Sequence, residues 1–285
     1  MLTTVMICLV LLSQIWFLSY YYPNQVVHRI DFVLSHCPEN EYPKLYPIST
    51  ERIKTIKLGY QYLNYLIAFL GIVLFLYFTL VITDHENYLN ILDDIPLLFG
   101  ILQFIPLFLL ELLGYKHLKL MREQNTQTNR KAELLPRRLF QFISPIYVYT
   151  AFAVYFSYIF FELYVSDFTF TFDTIIKIAS VSLANILFIG LALTNLYGKK
   201  RDPYISNNER NKQTKFVLHS LTFISIFASI YLMVHSWVNI YGYNFAEILI
   251  NSLYFQVIAL FSVSALLGRF KVEEMNFDVY KHNSN

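Results

Sequence analysis

Seven apolar stretches, each long enough to cross a bilayer, take up most of this chain and leave only the gaps between them to carry charge. A helix rises about 1.5 Å per residue, so a hydrocarbon core of about 30 Å is crossed by roughly 20 apolar residues. The stretches run over residues 2–22, 58–82, 95–114, 143–165, 174–197, 216–238 and 248–268. They are continuously apolar and lack the alternation of an outer-membrane strand. The expected fold is therefore all-α, a polytopic membrane helix bundle with seven transmembrane helices. Composition agrees: 56% of residues are hydrophobic and 15% are charged, outside the range of soluble domains.

The basic residues orient the bundle. Of the 22 Lys and Arg, all but Lys177 fall in alternate gaps. Arg29 to Lys57 follow the first span, Lys116 to Arg138 the third, Lys199 to Lys215 the fifth, and Arg269 to Lys281 the seventh. The intervening gaps carry Asp84, Glu86, Asp93 and Asp94, then Asp167 and Asp173, then Glu247, with no basic residue. Cytoplasmic loops hold the excess of Lys and Arg, so the N-terminus is expected outside and the C-terminus in the cytoplasm. On this reading 1–285 forms a single integral membrane domain, 23–57 is a cytoplasmic or interfacial segment and 269–285 is a cytoplasmic tail. The first span has no basic n-region and its apolar run exceeds a signal-peptide core, so it reads as an uncleaved anchor.

The gaps are too short for an independent soluble core, which argues against a cytoplasmic kinase, nuclease or nucleotidase domain. Their basic runs are those of positive-inside loops, so the expected partners are the lipid bilayer and protein chains in the membrane or at its cytoplasmic face, with no nucleic acid. No cofactor is implied. The run His85-Glu86-Asn87-Tyr88-Leu89 begins like a zinc-protease motif but ends in Leu where a second His is required. Cys8 in the first span and Cys37 beyond it are expected to be too far apart to bridge. The layout resembles that of the rhodopsins only in span number and orientation, since the seventh span has no Lys for a retinal Schiff base.

Ionisable groups inside spans are the first functional suspects, because each costs about 2.5 to 3.5 kcal/mol at mid-bilayer. Glu111 lies near the cytoplasmic end of span three. Glu162 and Lys177 flank one short outer gap and are expected to pair. Lys177, Ser180, Ala184 and Asn195 share one side of span five, so Glu111, Glu162, Lys177 and Asn195 are the residues from which a polar pathway would be built. Small groups at Gly190, Thr194 and Gly198 favour a close helix contact instead. Thr222, Ser225, Ser229 and Ser236 form a stripe on span six suited to packing, and Gln103 and Asn251 call for interhelical hydrogen bonds. His85, His117, His219 and His235 lie near span ends at roughly matching depths, the one arrangement that points to haem. The favoured reading is a non-enzymatic scaffold, assembly or regulatory component of a plasma or inner membrane. A small-solute or ion transporter is the alternative, and a membrane haem protein the third.

Overall fold

The computed structural model describes residues 2–84, 95–125, 137–264, 267–268 and 271–281. These residues are helical throughout their regular structure, with no strand among them. Helix α1 (Leu2–Gln14) runs through a π-helical stretch (Ile15–Tyr21) into α2 (Tyr22–His36). Then come α3 (Thr50–Asp84), α4 (Ile95–Gln124), α5 (Pro145–Val165), α6 (Phe172–Tyr197), α7 (Asn207–Tyr241) and α8 (Asn244–Ala259), the last followed by a second π stretch (Leu260–Ser264). Among the described residues seven helices, counting α1 to α2 as one, are long and apolar enough to cross a membrane.

Several helices outrun their apolar spans. α3 and α7 have 35 residues each and α4 has 30. The ends are set by caps. Ser206 opens α7 with a capping box, its hydroxyl accepting from Glu209 N at 3.2 Å. Thr171 opens α6 by accepting from Thr174 N at 3.2 Å. Gly242 closes α7 at φ 67°, in the left-handed region that glycine enters without strain. The first span departs most from its expected end, because the chain stays helical past Pro23 to His36. Pro23, which has no N–H to donate, stands in the first turn of α2, just beyond the π stretch that changes the winding of the helix.

The chain divides into two compact units, one built from Met1–Gln127, Arg201–Ile205 and Asn244–Asn285, the other from Thr128–Lys200 and Ser206–Tyr243. In the first, α1 and the π stretch lie among α3, α4 and α8. Ile7 and Leu11 pack on Ile248, Ile15 on Ile67 and Phe99, and Leu18 and Tyr22 on Phe255, Ala259 and Val263. Below them, Tyr46 is buried and donates to the Cys37 carbonyl at 2.5 Å, pinning the irregular segment that joins α2 to α3. Burial pushes the Cys37 thiol up from its ordinary pKa. Both cysteines are free thiols.

In the second unit α5 packs along α7, and α6 packs along the same helix, while α5 and α6 barely meet. Ile143, Leu196 and Leu218 form its buried apolar cluster. Asp167 and Phe168 link α5 to α6 with φ of 51° and 56°, a turn fixed by the Phe168 N–H donating to Leu163 O at 2.7 Å.

Candidate functional site

Several of the buried polar side chains of the first unit form one connected group. Gln14 stands at the end of α1, where the backbone passes into the π stretch. Its amide Nε2 donates to Gln103 Oε1 on α4 at 2.9 Å, and Gln103 Nε2 donates to Ser19 Oγ at 2.8 Å. Ser252 on α8 donates its hydroxyl to Gln14 Oε1. Close by, Gln256 Nε2 donates to the Val10 carbonyl at 3.1 Å and Ser13 donates to Gln256 Oε1, also at 3.1 Å. Gln14, Ser19, Gln103, Asn251 and Ser252 are all buried. Three helices that are remote in sequence are thus tied at one level by amides and hydroxyls.

The chemistry open to this group is narrow. Amides and hydroxyls of these types do not ionise near neutral pH, so they hold and orient neighbours without moving protons. Gln103 was legible as a residue needing a partner on another helix. Gln14 and Ser19 were not, although a lone amide inside an unbroken apolar run is the signal that marks them. The pair Ser252 and Gln256, four residues apart on α8, carries the same signal.

The ionisable residues expected to build a polar pathway occupy separate surroundings. Glu162 is 2% exposed and accepts from the Ser236 hydroxyl of α7. Lys177 is exposed, and its ammonium pairs with Asp173 at 2.8 Å on the same face of α6. The expected pairing of Glu162 with Lys177 is therefore replaced by two others. Asp173 is one turn away on Lys177's own helix, while Glu162 is turned into the α5 to α7 contact. Asn195 Nδ2 donates to Leu191 O at 2.8 Å within its helix. Glu111 is exposed on α4 and, with His117, lines an apolar groove of about 480 Å³ beside α2 and α3. An exposed i,i+4 pair contributes only about 0.3 to 0.5 kcal/mol, so Lys177→Leu is expected to melt within a degree or two of wild type in detergent. A loss much larger than that in a thermal scan would mean that Lys177 holds the fold.

The small-residue and hydroxyl faces part company. Ser225 and Ser229 of the α7 stripe are buried, and Ser225 donates to Asn185 Oδ1 of α6 at 2.5 Å. At Gly190 of α6 a side chain would meet nothing within 4 Å, so the expected close contact does not form there.

The imidazoles are engaged by nearby groups. His117 Nε2 donates to Leu45 O at 3.0 Å and His219 Nδ1 to Lys215 O at 2.7 Å, since a carbonyl can only accept. His235 Nδ1 lies 3.3 Å from the amide nitrogen of Asn239. His85, and with it the run from His85 to Leu89, lies outside the described residues. Among the described residues no group of three or more His, Cys, Asp or Glu is placed to hold a metal ion. No family model, no curated protein and no solved structure matches this chain.

Proposed function

We propose that this multi-pass membrane protein is a non-enzymatic scaffold, assembly or regulatory component of a plasma membrane or a bacterial inner membrane. Its N-terminus lies outside and its C-terminus in the cytoplasm. The observation that carries this reading is how the chain spends its buried polar side chains: Gln14, Gln103, Ser252, Ser225 and Glu162 each tie one helix to another within its own unit. Groups used as ties make a firm bundle and leave the working surface on the outside. That surface is extensive, because only Thr174, Val181 and Leu196 of α6 are buried. The orientation rests on the alternation of basic gaps.

One experiment addresses role and orientation together. The protein is produced with a C-terminal fluorescent domain that matures only in the cytoplasm, released in mild detergent and weighed by native mass spectrometry. A fluorescent product that keeps further polypeptide chains in fixed ratio is expected. A bare monomer that moves solutes when reconstituted in vesicles would replace this reading with the transport one, and a dark product would invert the orientation.

A further inference from the structure

We infer that the second unit holds one anionic phospholipid, with an acyl chain in the cleft between α5 and α6 and its phosphate at the basic end of that cleft. The cleft measures about 350 Å³, and α7 forms its back wall. It exists because α5 and α6 each pack on α7 but hardly on one another. Ile143, Leu196 and Leu218 line one end, and Tyr155, Ser182 and Asn185 the other. From Leu196 to Ser182 the wall follows α6 for roughly 21 Å at about 1.5 Å per residue. One leaflet of hydrocarbon is about 15 Å deep, so the cleft takes one chain lengthwise.

The inner end looks polar in sequence but is closed to a polar solute. Ser182 donates to Ile178 O at 2.7 Å, so the Tyr155 hydroxyl, 2.7 Å from Ser182 Oγ, is the donor between them. Asn185 donates to Val181 O at 3.0 Å and accepts from Ser225. Thr222 donates to Leu218 O at 2.8 Å. The hydrogen-bonding groups are turned to one another and to backbone, and what remains for an occupant is hydrocarbon. Phe152, Ile186, Ile189 and Leu193 on the rim are exposed, which is where a chain enters from the bilayer.

The charge at the other end selects the head group. Arg137 and Arg138 immediately precede the cleft residue Leu139, Lys199 and Lys200 follow the end of α6, and Arg210, Lys212 and Lys215 lie in the first turns of α7. Glu209 is the one acidic residue in those stretches. Arg137 and Arg210 brace the mouth, donating to the carbonyls of Leu196 at 3.4 Å and Gly198 at 2.5 Å. The excess of basic residues in these stretches draws a phosphate that carries net negative charge, and a zwitterionic head group gains far less.

The test uses full-length protein, delipidated in mild detergent and titrated with phosphatidylglycerol or phosphatidylcholine under native mass spectrometry. One phosphatidylglycerol per chain is expected, bound about tenfold or more tightly than phosphatidylcholine, since each cation near the surface contributes about fivefold. Ala192→Trp fills the cleft and is expected to abolish that bound lipid. Arg138→Gln with Lys199→Gln changes only surface charge, so it folds, and is expected to cut the preference for phosphatidylglycerol at least severalfold. Equal binding of both lipids by the wild type would overturn the inference. So would an unchanged lipid count in Ala192→Trp, a preference that the double charge change leaves undiminished, or a protein chain retained where the lipid should be.

Discussion

Gly100→Ala is expected to destabilise the first unit by about 3 kcal/mol, at the upper end of what overpacking a buried contact costs. Gly100 lies on α4 where α8 crosses it, and a Cβ there would stand 2.1 Å from Cδ2, 2.4 Å from Cε2 and 2.6 Å from Cγ of Phe255. A tip atom could swing away, but Cγ sits one bond from the Phe255 Cβ and cannot. The ring is also held by Leu18, Tyr22, Ala259 and Val263, with Phe104 at 5.9 Å between centroids. Relief therefore requires the helices to part. Gly59 on α3 and Gly114 on α4 supply the control, because an added Cβ at either meets nothing within 4 Å. Alanine at those two positions is expected to stabilise by roughly 0.5 to 1 kcal/mol through helix propensity alone. Cys37 is the reporter. It is 3% exposed, and burial keeps its thiol protonated, so a water-soluble maleimide should reach it only when the unit opens. Faster labelling in Gly100→Ala and slower labelling in Gly59→Ala is the expected pattern, and in a Phe255→Ala background, which has no Cγ, Gly100→Ala should no longer speed labelling, which would place the strain at that contact. Equal labelling of wild type, Gly100→Ala and Gly59→Ala would remove the argument.

The number and type of the spans were legible because hydrocarbon thickness leaves few choices for a continuous apolar run. Their ends were less so. Pro23 reads as a stop, yet the preceding π stretch carries the helix to His36, and nothing in the run Ile15 to Tyr21 announces a change of winding. The stripe on span six was read correctly as a packing face because its hydroxyls recur on one side, and Ser225 and Ser229 are buried. The pairing of Glu162 with Lys177 was misjudged because proximity across a loop says nothing of which way each side chain turns. Asp173 stood closer to Lys177 along the helix, and Ser236 faced Glu162 from a helix far off in sequence. The cleft beside α6 was invisible for the same reason. It arises from two helices failing to meet, which no pattern within either one records.

Gln103→Leu is expected to cost about 2 kcal/mol, more than the average of about 0.6 kcal/mol for a hydrogen bond between membrane helices. The larger figure follows from what the change leaves behind. Gln103 is 4% exposed and serves two partners, accepting from Gln14 Nε2 and donating to Ser19 Oγ. Leucine removes both bonds and strands the Gln14 amide in a place where neither water nor lipid can replace them, and a buried polar group without its partner costs about 1 to 3 kcal/mol. Gln14→Leu alone is expected to cost a similar amount, since it strands Gln103 Nε2 less but deprives Ser252 of its acceptor. Removing both amides leaves Ser19 and Ser252 without these partners, and their hydroxyls can turn to helix carbonyls, Val10 O lying 3.4 Å from Ser252 Oγ. The double variant should then be more stable than the sum of the singles by about 1 kcal/mol or more, the signature of groups that act as one. Unfolding by sodium dodecyl sulfate in a Trp237→Phe background makes Trp16, two residues beyond Gln14, the fluorescent reporter of this unit. Strict additivity would mean that the amides pack independently, and the π stretch would then owe its position to the apolar contacts of Ile15 and Leu18 rather than to the amide ties.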